Sequence, residues 1–330
     1  MAILESISKA EMPFTEALRH AETGDTIMIS STPKNIERCS QLWSHTMGVL
    51  SVVGDEVYLN DKTVCSNNIE ATHSKKFLPF YDKILFTQTE TVNEKRVHVF
   101  YWLNPPNPEK PRGKIVTTPK SAFSIEAEKL EIFPLSAGKG ILLVEPTTIT
   151  ILKELRILGT VWEKVSAKDV TKNVAGVWEG QYETYIKTPS SVVVGFKTKR
   201  TDDGVQVTRF IRGHKQVPIY DHLGAPLPPA IWATDDDLFY ESKAHGTEHI
   251  VSASTGEQVY DNTRGNFYTT LTALVQRDGS TVKANGGIIT DSFPNVNPNL
   301  MISTAEGILY VWNETYRMLV IKKDTKKKSA

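Results

Sequence analysis

Short apolar and β-branched stretches alternate with turn-forming residues along most of the chain. From about residue 176 onward, stretches of about five to eight such residues recur about every ten positions, and Asp203-Gly204 and Asp278-Gly279 lie between them. This spacing is typical of strands joined by tight antiparallel hairpins. The pattern therefore predicts an α+β fold, predominantly antiparallel β, with a β-sandwich or barrel body and a small helix-containing N-terminal lobe.

The same pattern locates individual strands. Two hairpins are predicted early in the chain, one with its turn at Gly54-Asp55 and one with its turn at residues 93–95. The later strand candidates are residues 177–188, 191–199, 205–211, 266–276, 280–290, 300–304 and 308–313. The apolar stretches have no repeat of fixed period, which argues against a β-propeller or a solenoid.

Three segments have helical spacing instead. The first begins at Pro13, which suits the first turn of a helix, and ends before Gly24, a residue typical of helix ends. Residues 33–47 and 146–158 repeat their apolar side chains every three or four positions and are predicted as two further helices. A strand over residues 25–30 is predicted between the first two helices.

A proline-rich segment marks the predicted domain boundary. Residues 104–111 carry four prolines in eight positions, a composition that favours an extended, stiff connector. We therefore predict an N-terminal mixed α/β lobe over residues 1–103 and a β-rich main domain over residues 112–321. A flexible basic tail is predicted over residues 322–330.

Composition narrows the class of protein. The 330 residues carry 38 Lys+Arg and 38 Asp+Glu, so no net field would attract nucleic acid or a membrane to the whole molecule. Two cysteines cannot form a disulfide framework. The first residues lack the basic and apolar regions of a signal peptide, and no apolar run approaches the roughly 18 residues of a membrane span. We expect an intracellular, cytoplasmic protein.

Positive charge is concentrated in two places. Phe210 lies among basic residues, and the last nine residues hold five lysines. Such clusters are suited to contact with phosphate groups. The alternatives are that the charges near Phe210 protect an exposed strand edge from pairing with another strand, and that the terminal lysines only increase solubility. The candidate binding residues are Arg209, Arg212, Lys215, Lys322, Lys323, Lys326, Lys327 and Lys328.

One short motif matches a catalytic pattern. His245, Glu248 and His249 have the H-x-x-E-H spacing of inverted zinc peptidases, in which both histidines bind the metal from one helix face. Gly246 and Thr247 disfavour a helix there, and the flanking residues 238–241 and 250–254 have strand composition. We therefore predict a polar hairpin loop, no catalytic residues and no cofactor, with the zinc site as an alternative.

The leading hypothesis is a non-enzymatic assembly or binding protein. At the level of architecture the profile is similar to that of viral capsid, matrix and movement proteins. The acidic first 30 residues and the lysine-rich last nine suggest self-association through charged ends, and the basic clusters suggest contact with nucleic acid. The alternatives are a hydrolase assembled from distant residues, in its zinc version at His245, and a glycan- or peptide-binding β-sandwich. Aromatic residues for the latter are Trp102, Tyr268, Tyr310 and Trp312.

Overall fold

The fold is described from a computed structural model of the chain. It describes residues 14–66, 76–81, 83–103, 121–135, 138, 140–145, 148–155, 159–166, 184–189, 192–197, 207–212, 215–220, 231–244 and 247–322. The predicted proline-rich connector at 104–111 and most of the predicted basic tail lie outside these residues.

Almost all of the described secondary structure is antiparallel β, with one short α-helix and two 3₁₀ turns. Helix α1 is Phe14–His20, and the 3₁₀ turns are Ile36–Arg38 and Pro298–Leu300. Strands β1 to β14 are Thr26–Ser31, Cys39–His45, Gly48–Val53, Glu56–Leu59, Lys62–Ser66, Lys76–Phe80, Lys83–Val92, Lys95–Leu103, Ser121–Glu126, Glu131–Pro134, Ile141–Val144, Thr148–Leu155, Gly159–Ser166 and Thr184–Lys187. Strands β15 to β28 are Val192–Lys197, Val207–Arg212, Lys215–Tyr220, Ile231–Ala233, Leu238–Ala244, Thr247–Ser252, Gln258–Tyr260, Asn266–Thr269, Leu274–Asp278, Thr281–Ala284, Gly287–Thr290, Met301–Ser303, Gly307–Trp312 and Thr315–Val320. The predicted α+β class with antiparallel β predominating is confirmed.

In the part of the chain that the structure describes, the strands are divided among seven sheets of four strands each. Sheet A has the order β1-β28-β27-β26, so the first strand of the chain completes the sheet formed by the last three. Sheets B to G are six runs of consecutive strands: β2–β5, β6–β9, β10–β13, β14–β17, β18–β21 and β22–β25. Successive four-stranded antiparallel sheets are the units from which β-propellers are built. The apolar stretches have no fixed period, yet the described strands form a repeated structural unit of four strands.

The repeat is not visible in the apolar pattern, because the residues that recur are single polar residues at turns. Thr234, Thr270 and Thr304 each follow the first strand of a sheet and lie about 35 positions apart. Each threonine hydroxyl donates to the carbonyl of the residue three positions later and accepts that residue's N–H. All three threonines are buried, so these turns satisfy backbone groups that water cannot reach.

A second hydrogen-bonding pattern, made by asparagine, recurs where the third strand of a sheet ends. Asn60 follows β4 and Asn285 follows β24, both with positive φ. The Asn60 side-chain oxygen accepts the N–H of Val49, and the Asn285 oxygen accepts the N–H of Leu274, each at 2.9 Å. Asparagine tolerates the left-handed conformation better than most residues, so both asparagines turn the chain while bonding to the second strand.

The chain forms two compact units. The first comprises residues 1–145, 152–162 and 296–320, and the second comprises residues 146–151, 163–295 and 321–330. In the first unit, apolar clusters join sheets A and B, sheets B and C, and sheet C with the first strands of sheet D. In the second unit, clusters join sheet E to F and sheet F to G. The predicted domain limits remain a prediction.

Helix α1 confirms the first predicted helix. Its residues Phe14, Ala17 and Leu18 pack against Ile27 and Val320. Gly24 follows the helix with φ 97°, and its N–H donates to the Val320 carbonyl. Among the described residues, no helix has the length and apolar character needed to cross a membrane.

The predicted helix over residues 33–47 is wrong. Only Ile36–Arg38 forms a single 3₁₀ turn, and Cys39–His45 is strand β2. Residues 39–45 form a strand because they pair with β3. All six residues of β3 are buried, so its backbone N–H and C=O groups need hydrogen-bond partners on a neighbouring strand. His45 is fully buried and fixes the turn between the two strands: Met47 N–H donates to its Nδ1 and its Nε2 lies 3.1 Å from the Lys83 carbonyl oxygen.

The predicted helix over residues 146–158 is also wrong. Thr148–Leu155 is strand β12, within the sheet order β10-β11-β12-β13. The segment begins with four β-branched residues, Thr148 to Ile151, which lose side-chain freedom in a helix and fit a pleated strand well. In this segment the residue types were a better guide than the apolar spacing.

Candidate nucleic-acid interface

The candidate site is one end of sheet E, where strand register brings basic residues together. Strands β16 and β17 form a hairpin, and its register pairs Arg212 directly with Lys215 at the turn. Two like charges directly opposite each other on antiparallel strands destabilise a sheet. An anion bound at this end of the hairpin would relieve that repulsion.

A third cation, Lys187, belongs to the same end of the sheet. Lys187 ends β14 and pairs with Val192, and Ile186 pairs with Val193. Because Val194 pairs with Ile211, the next residue of β16, Arg212, is level with Val193. Neighbouring strands lie about 4.8 Å apart, so the backbones of β14 and β16 are separated by roughly 10 Å at this level. No local pattern in the sequence links Lys187 to Arg212.

Burial makes the Lys187 ammonium group easier to deprotonate. Desolvation lowers the pKa of its ammonium group from 10.5 to about 8, because a charged group loses water contacts as it is buried. The adjacent Thr188 is buried as well. At neutral pH the ammonium is still protonated but poorly solvated, and such a cation gains more from a nearby anion than a fully hydrated one.

Arg209 lies further from this end. It pairs with Pro218 and is three residues from Arg212 along β16, a distance of about 10 Å along a strand. Strand alternation assigns Arg209 and Ile211 to one sheet face and Phe210 and Arg212 to the other. The structure therefore pairs Arg212 with Lys215 and leaves Arg209 as an outlying member of the predicted cluster. Lys187 lies at the same end of the sheet, but Ile186 is the residue level with Arg212, so strand alternation assigns Lys187 to the other face.

Most of the predicted lysine cluster lies outside the described residues. Lys322 is half-buried, and Lys323, Lys326, Lys327 and Lys328 are beyond the described range. The strand that precedes these lysines is firmly held: the Val320 N–H donates to the Asp25 carbonyl, and β28 pairs with both β1 and β27. Their role in binding remains a prediction.

The residues of the H-x-x-E-H motif belong to a hairpin. Glu248 and His249 are on strand β20 and pair with Lys243 and Ser242 of β19, while His245 lies outside the described residues. Adjacent strand residues face opposite sides of a sheet, and the Glu248 carboxylate accepts a hydrogen bond from Thr263 at 3.1 Å. Within the described residues, no group of three His, Cys, Asp or Glu side chains is arranged to hold a metal ion.

The aromatic residues named for a glycan or peptide site differ in their surroundings. Tyr310 is buried in sheet A, where it is only 2% exposed, and Trp312 on the same strand is half-buried. Tyr268 is half-buried on β22, and Trp102 lies on β8. Burial raises the pKa of Tyr310 and Tyr268, as expected for phenol groups that are packed into the protein. Tyr310 is therefore a core residue.

Comparisons with known proteins leave the chain without an assigned family. No family model matches it, and no curated protein matches it in sequence. Among solved structures, the acylaminoacyl peptidase of Pyrococcus horikoshii is similar with a TM-score of 0.39 and 10% identity, over 75% of this chain and 46% of the peptidase chain. Hsv2 of Kluyveromyces lactis has a TM-score of 0.38 and 12% identity, over 87% of this chain and 90% of its own. Hsv2 of Kluyveromyces marxianus has a TM-score of 0.36 and 12% identity, over 91% and 99%. Likenesses this distant carry no conclusion about function.

Proposed function

We propose that this chain is a non-enzymatic binding protein that contacts the phosphates of a nucleic acid through the basic end of sheet E. The observation that supports this function is the direct pairing of Arg212 with Lys215, with Lys187 at the same end of the sheet. Nucleic-acid affinity arises mainly from cations that replace the counterions of phosphate groups. The Arg212–Lys215 pair is suited to that role, and Lys187 adds a cation at the same end of the sheet on its other face.

Two physical features favour an anion here. Repulsion between Arg212 and Lys215 is a cost that a bound phosphate reverses, and partial desolvation of Lys187 strengthens its attraction for negative charge. Lysine and arginine side chains are also long enough to reach a phosphate beyond the sheet. The lysines at 322–328 would add further contacts of the same sequence-independent kind.

Neutralising this end of the sheet should weaken binding to nucleic acid. The variant carries Lys187→Met, Arg212→Ala and Lys215→Ala, and the probe is a fluorescent single-stranded RNA of mixed sequence, titrated over a series of salt concentrations. We expect affinity to fall at least about tenfold and the logarithmic salt slope to become shallower by about 2, because three phosphate contacts are lost.

A matched variant separates this local effect from a change in overall charge. Lys34, Lys62 and Lys76 are exposed in the other unit, and replacing all three by alanine changes the net charge equally. Wild-type affinity in this control supports the assignment, whereas an equal loss in both variants contradicts it.

Replacing the five lysines at 322–328 by glutamine measures how much these lysines contribute to the affinity for RNA. Affinity should also fall above about pH 8, where Lys187 loses its proton.

Self-association is a second candidate function, favoured by one exposed sheet edge. Strand β25 is the last strand of sheet G, and β24 is its one neighbour in that sheet. Ile288 on this strand is 68% exposed, more than the other large apolar side chains exposed in the described part of the chain. An apolar edge strand is a template for pairing with another strand. A second copy of the chain is the proposed occupant.

Replacing Ile288 by lysine should reduce self-association, because a charge on an edge strand opposes pairing. Sedimentation velocity over a concentration series compares Ile288→Lys with Val92→Lys, a control at another exposed apolar position. If wild type and Val92→Lys form an oligomer and Ile288→Lys does not, the contact is at the sheet edge. If salt dissociates the oligomer of every variant, the contact is between the charged ends instead. A monomer at every concentration overturns both forms of the proposal.

A further inference from the structure

Asn285 and Gly286 form the tight turn between β24 and β25. Ala284 pairs with Gly287 across this turn, and both turn residues are exposed and have positive φ, 46° and 83°. Positive φ at both positions is what a type I′ turn needs, and Asn-Gly is a sequence that such turns favour strongly. The chain contains no other Asn-Gly dipeptide.

The fold favours asparagine at the first turn position. The Asn285 Oδ1 accepts the N–H of Leu274 at 2.9 Å, and its Nδ2 donates to the carbonyl of Thr272 at 3.2 Å. An amide side chain supplies an acceptor and a donor together, and asparagine tolerates the left-handed conformation. Asn285 therefore fastens the turn to the start of β23.

The fold requires glycine at the second turn position. A Cβ atom on Gly286 would lie 2.6 Å from the carbonyl oxygen of Val259, which belongs to β21 of sheet F. Glycine also adopts a φ of 83° without steric cost. The packing of sheets F and G thus places a glycine directly after Asn285. Because glycine has no Cβ, its backbone nitrogen is less shielded from the preceding side chain than that of any other residue.

We propose that Asn285 is a site of spontaneous deamidation that loosens strand β25. In the first step the Gly286 backbone nitrogen attacks the side-chain carbonyl carbon of Asn285. A bond forms between these two atoms and the bond from the carbon to Nδ2 breaks, so ammonia leaves with the former Gly286 amide proton and a succinimide ring remains. Water then opens the ring at either carbonyl, which gives aspartate or isoaspartate. The net reaction consumes water and releases ammonia, with no oxidation or reduction.

The two hydrogen bonds of Asn285 slow the first step. The amide loses its planar form as the ring closes, and Nδ2 must separate from the Thr272 carbonyl before it leaves. The reaction therefore follows local opening of the turn. Opening involves little of the fold, because the turn is exposed and β24 is the one neighbour of β25 in sheet G.

Asn60 provides an internal reference for this chemistry. It makes the same pair of bonds, because its Oδ1 accepts the N–H of Val49 at 2.9 Å and its Nδ2 donates to the carbonyl of Met47 at 3.2 Å. The residue after it is Asp61, whose side chain shields the backbone nitrogen. The two asparagines thus share their hydrogen bonds and differ in the residue that follows.

Either product weakens the turn. A second carboxylate oxygen replaces Nδ2 beside the Thr272 carbonyl, so a donor is lost and two negatively polarised oxygens face each other. In isoaspartate the backbone also runs through the side-chain methylene, which shifts β25 against β24. We therefore expect the modified chain to hold β25 less firmly than the original chain.

Peptide mass spectrometry of the full chain tests the site. The protein is incubated at neutral pH, folded or unfolded in urea, in water enriched in heavy oxygen, which labels the product formed during the incubation. In the folded chain Asn285 should be converted several times faster than Asn60, and in urea it should be converted faster still. Asp61→Gly, which places a glycine after Asn60, should raise the conversion of Asn60 toward that of Asn285.

Urea unfolding tests the effect of the modification. Asn285→Asp, which carries the carboxylate of one product, should unfold at a lower urea concentration than wild type. Asn93→Asp is the control, because it adds the same charge at an exposed turn position that also has positive φ. An equal shift of the unfolding midpoint in both variants would contradict the loosening of β25.

Two results would overturn the assignment of Asn285 as the modified residue. One is a folded chain in which Asn285 stays intact over the time that the urea-unfolded chain needs to convert it. The other is equal conversion of Asn60 and Asn285 in the folded wild-type chain. Both measurements use wild type alone, so the assignment can be refuted even if Asp61→Gly does not fold.

Discussion

Replacing Gly307 by alanine should lower the free energy of unfolding by at least about 3 kcal/mol. A Cβ atom at this position would overlap the backbone oxygen of Leu319 and lie 2.9 Å from its carbonyl carbon. Gly307 begins β27 and pairs with Val320 of β28, so the clash can be relieved only by moving one strand of sheet A from the next. Its φ of 156° adds to the strain.

The comparison with Gly279 isolates the effect of the clash. Gly279 also has positive φ, at 61°, but a Cβ there meets no atom within 4 Å. Gly279→Ala should therefore cost only the conformational strain of about 1–2 kcal/mol. Urea unfolding of both variants, with wild type, gives the two differences. Equal losses would mean that the close approach of β27 and β28 at Gly307 does not determine stability.

Replacing His45 by alanine should cost about 2–4 kcal/mol of unfolding free energy. The imidazole is fully buried and lies within 3.1 Å of both the Met47 N–H nitrogen and the Lys83 carbonyl oxygen. Alanine leaves both backbone groups without this partner and creates a cavity as well. The loss should be large because two hydrogen bonds of a fully buried ring are lost together with its packing.

Partial replacements can separate the two contacts of His45. Asparagine has its side-chain oxygen near the position of Nδ1 and can still accept from Met47, whereas glutamine reaches the position of Nε2 and can still donate to Lys83. Each should recover part of the loss when measured by urea unfolding. His249→Ala, at a half-buried strand position, is the control. A loss in His45→Ala no larger than in this control would contradict the role assigned to His45.

The candidate site was partly visible in the sequence. Arg212 and Lys215 are close along the chain, so a simple search for basic clusters finds them. Lys187 has no such signal, because only the register of β14 with β15 and of β15 with β16 places it at the same end of the sheet. Strand pairing between distant residues depends on the whole sheet, and a local pattern does not encode it.

The histidines illustrate the same limit. The sequence drew attention to His245 and His249 through their spacing in a known motif, and the latter lies on a strand. His45 and His98 have no motif around them, yet they are the two buried histidines of the described residues. Their partners, Lys83 for His45 and Ala127 for His98, are about 30 or more positions away in sequence, so only the folded chain identifies them.

By itself, the sequence determined the antiparallel β character, helix α1 and the turns at Gly54 and Gly279, because alternation, capping and positive-φ residues act over a few neighbouring positions. Only the tertiary structure decided that residues 39–45 and 148–155 are strands, that the strands form sheets of four, and that β1 completes the sheet of β26–β28. The physical reason is that a strand satisfies its backbone hydrogen bonds on another strand. The identity of that partner depends on which distant segment buries the complementary apolar face.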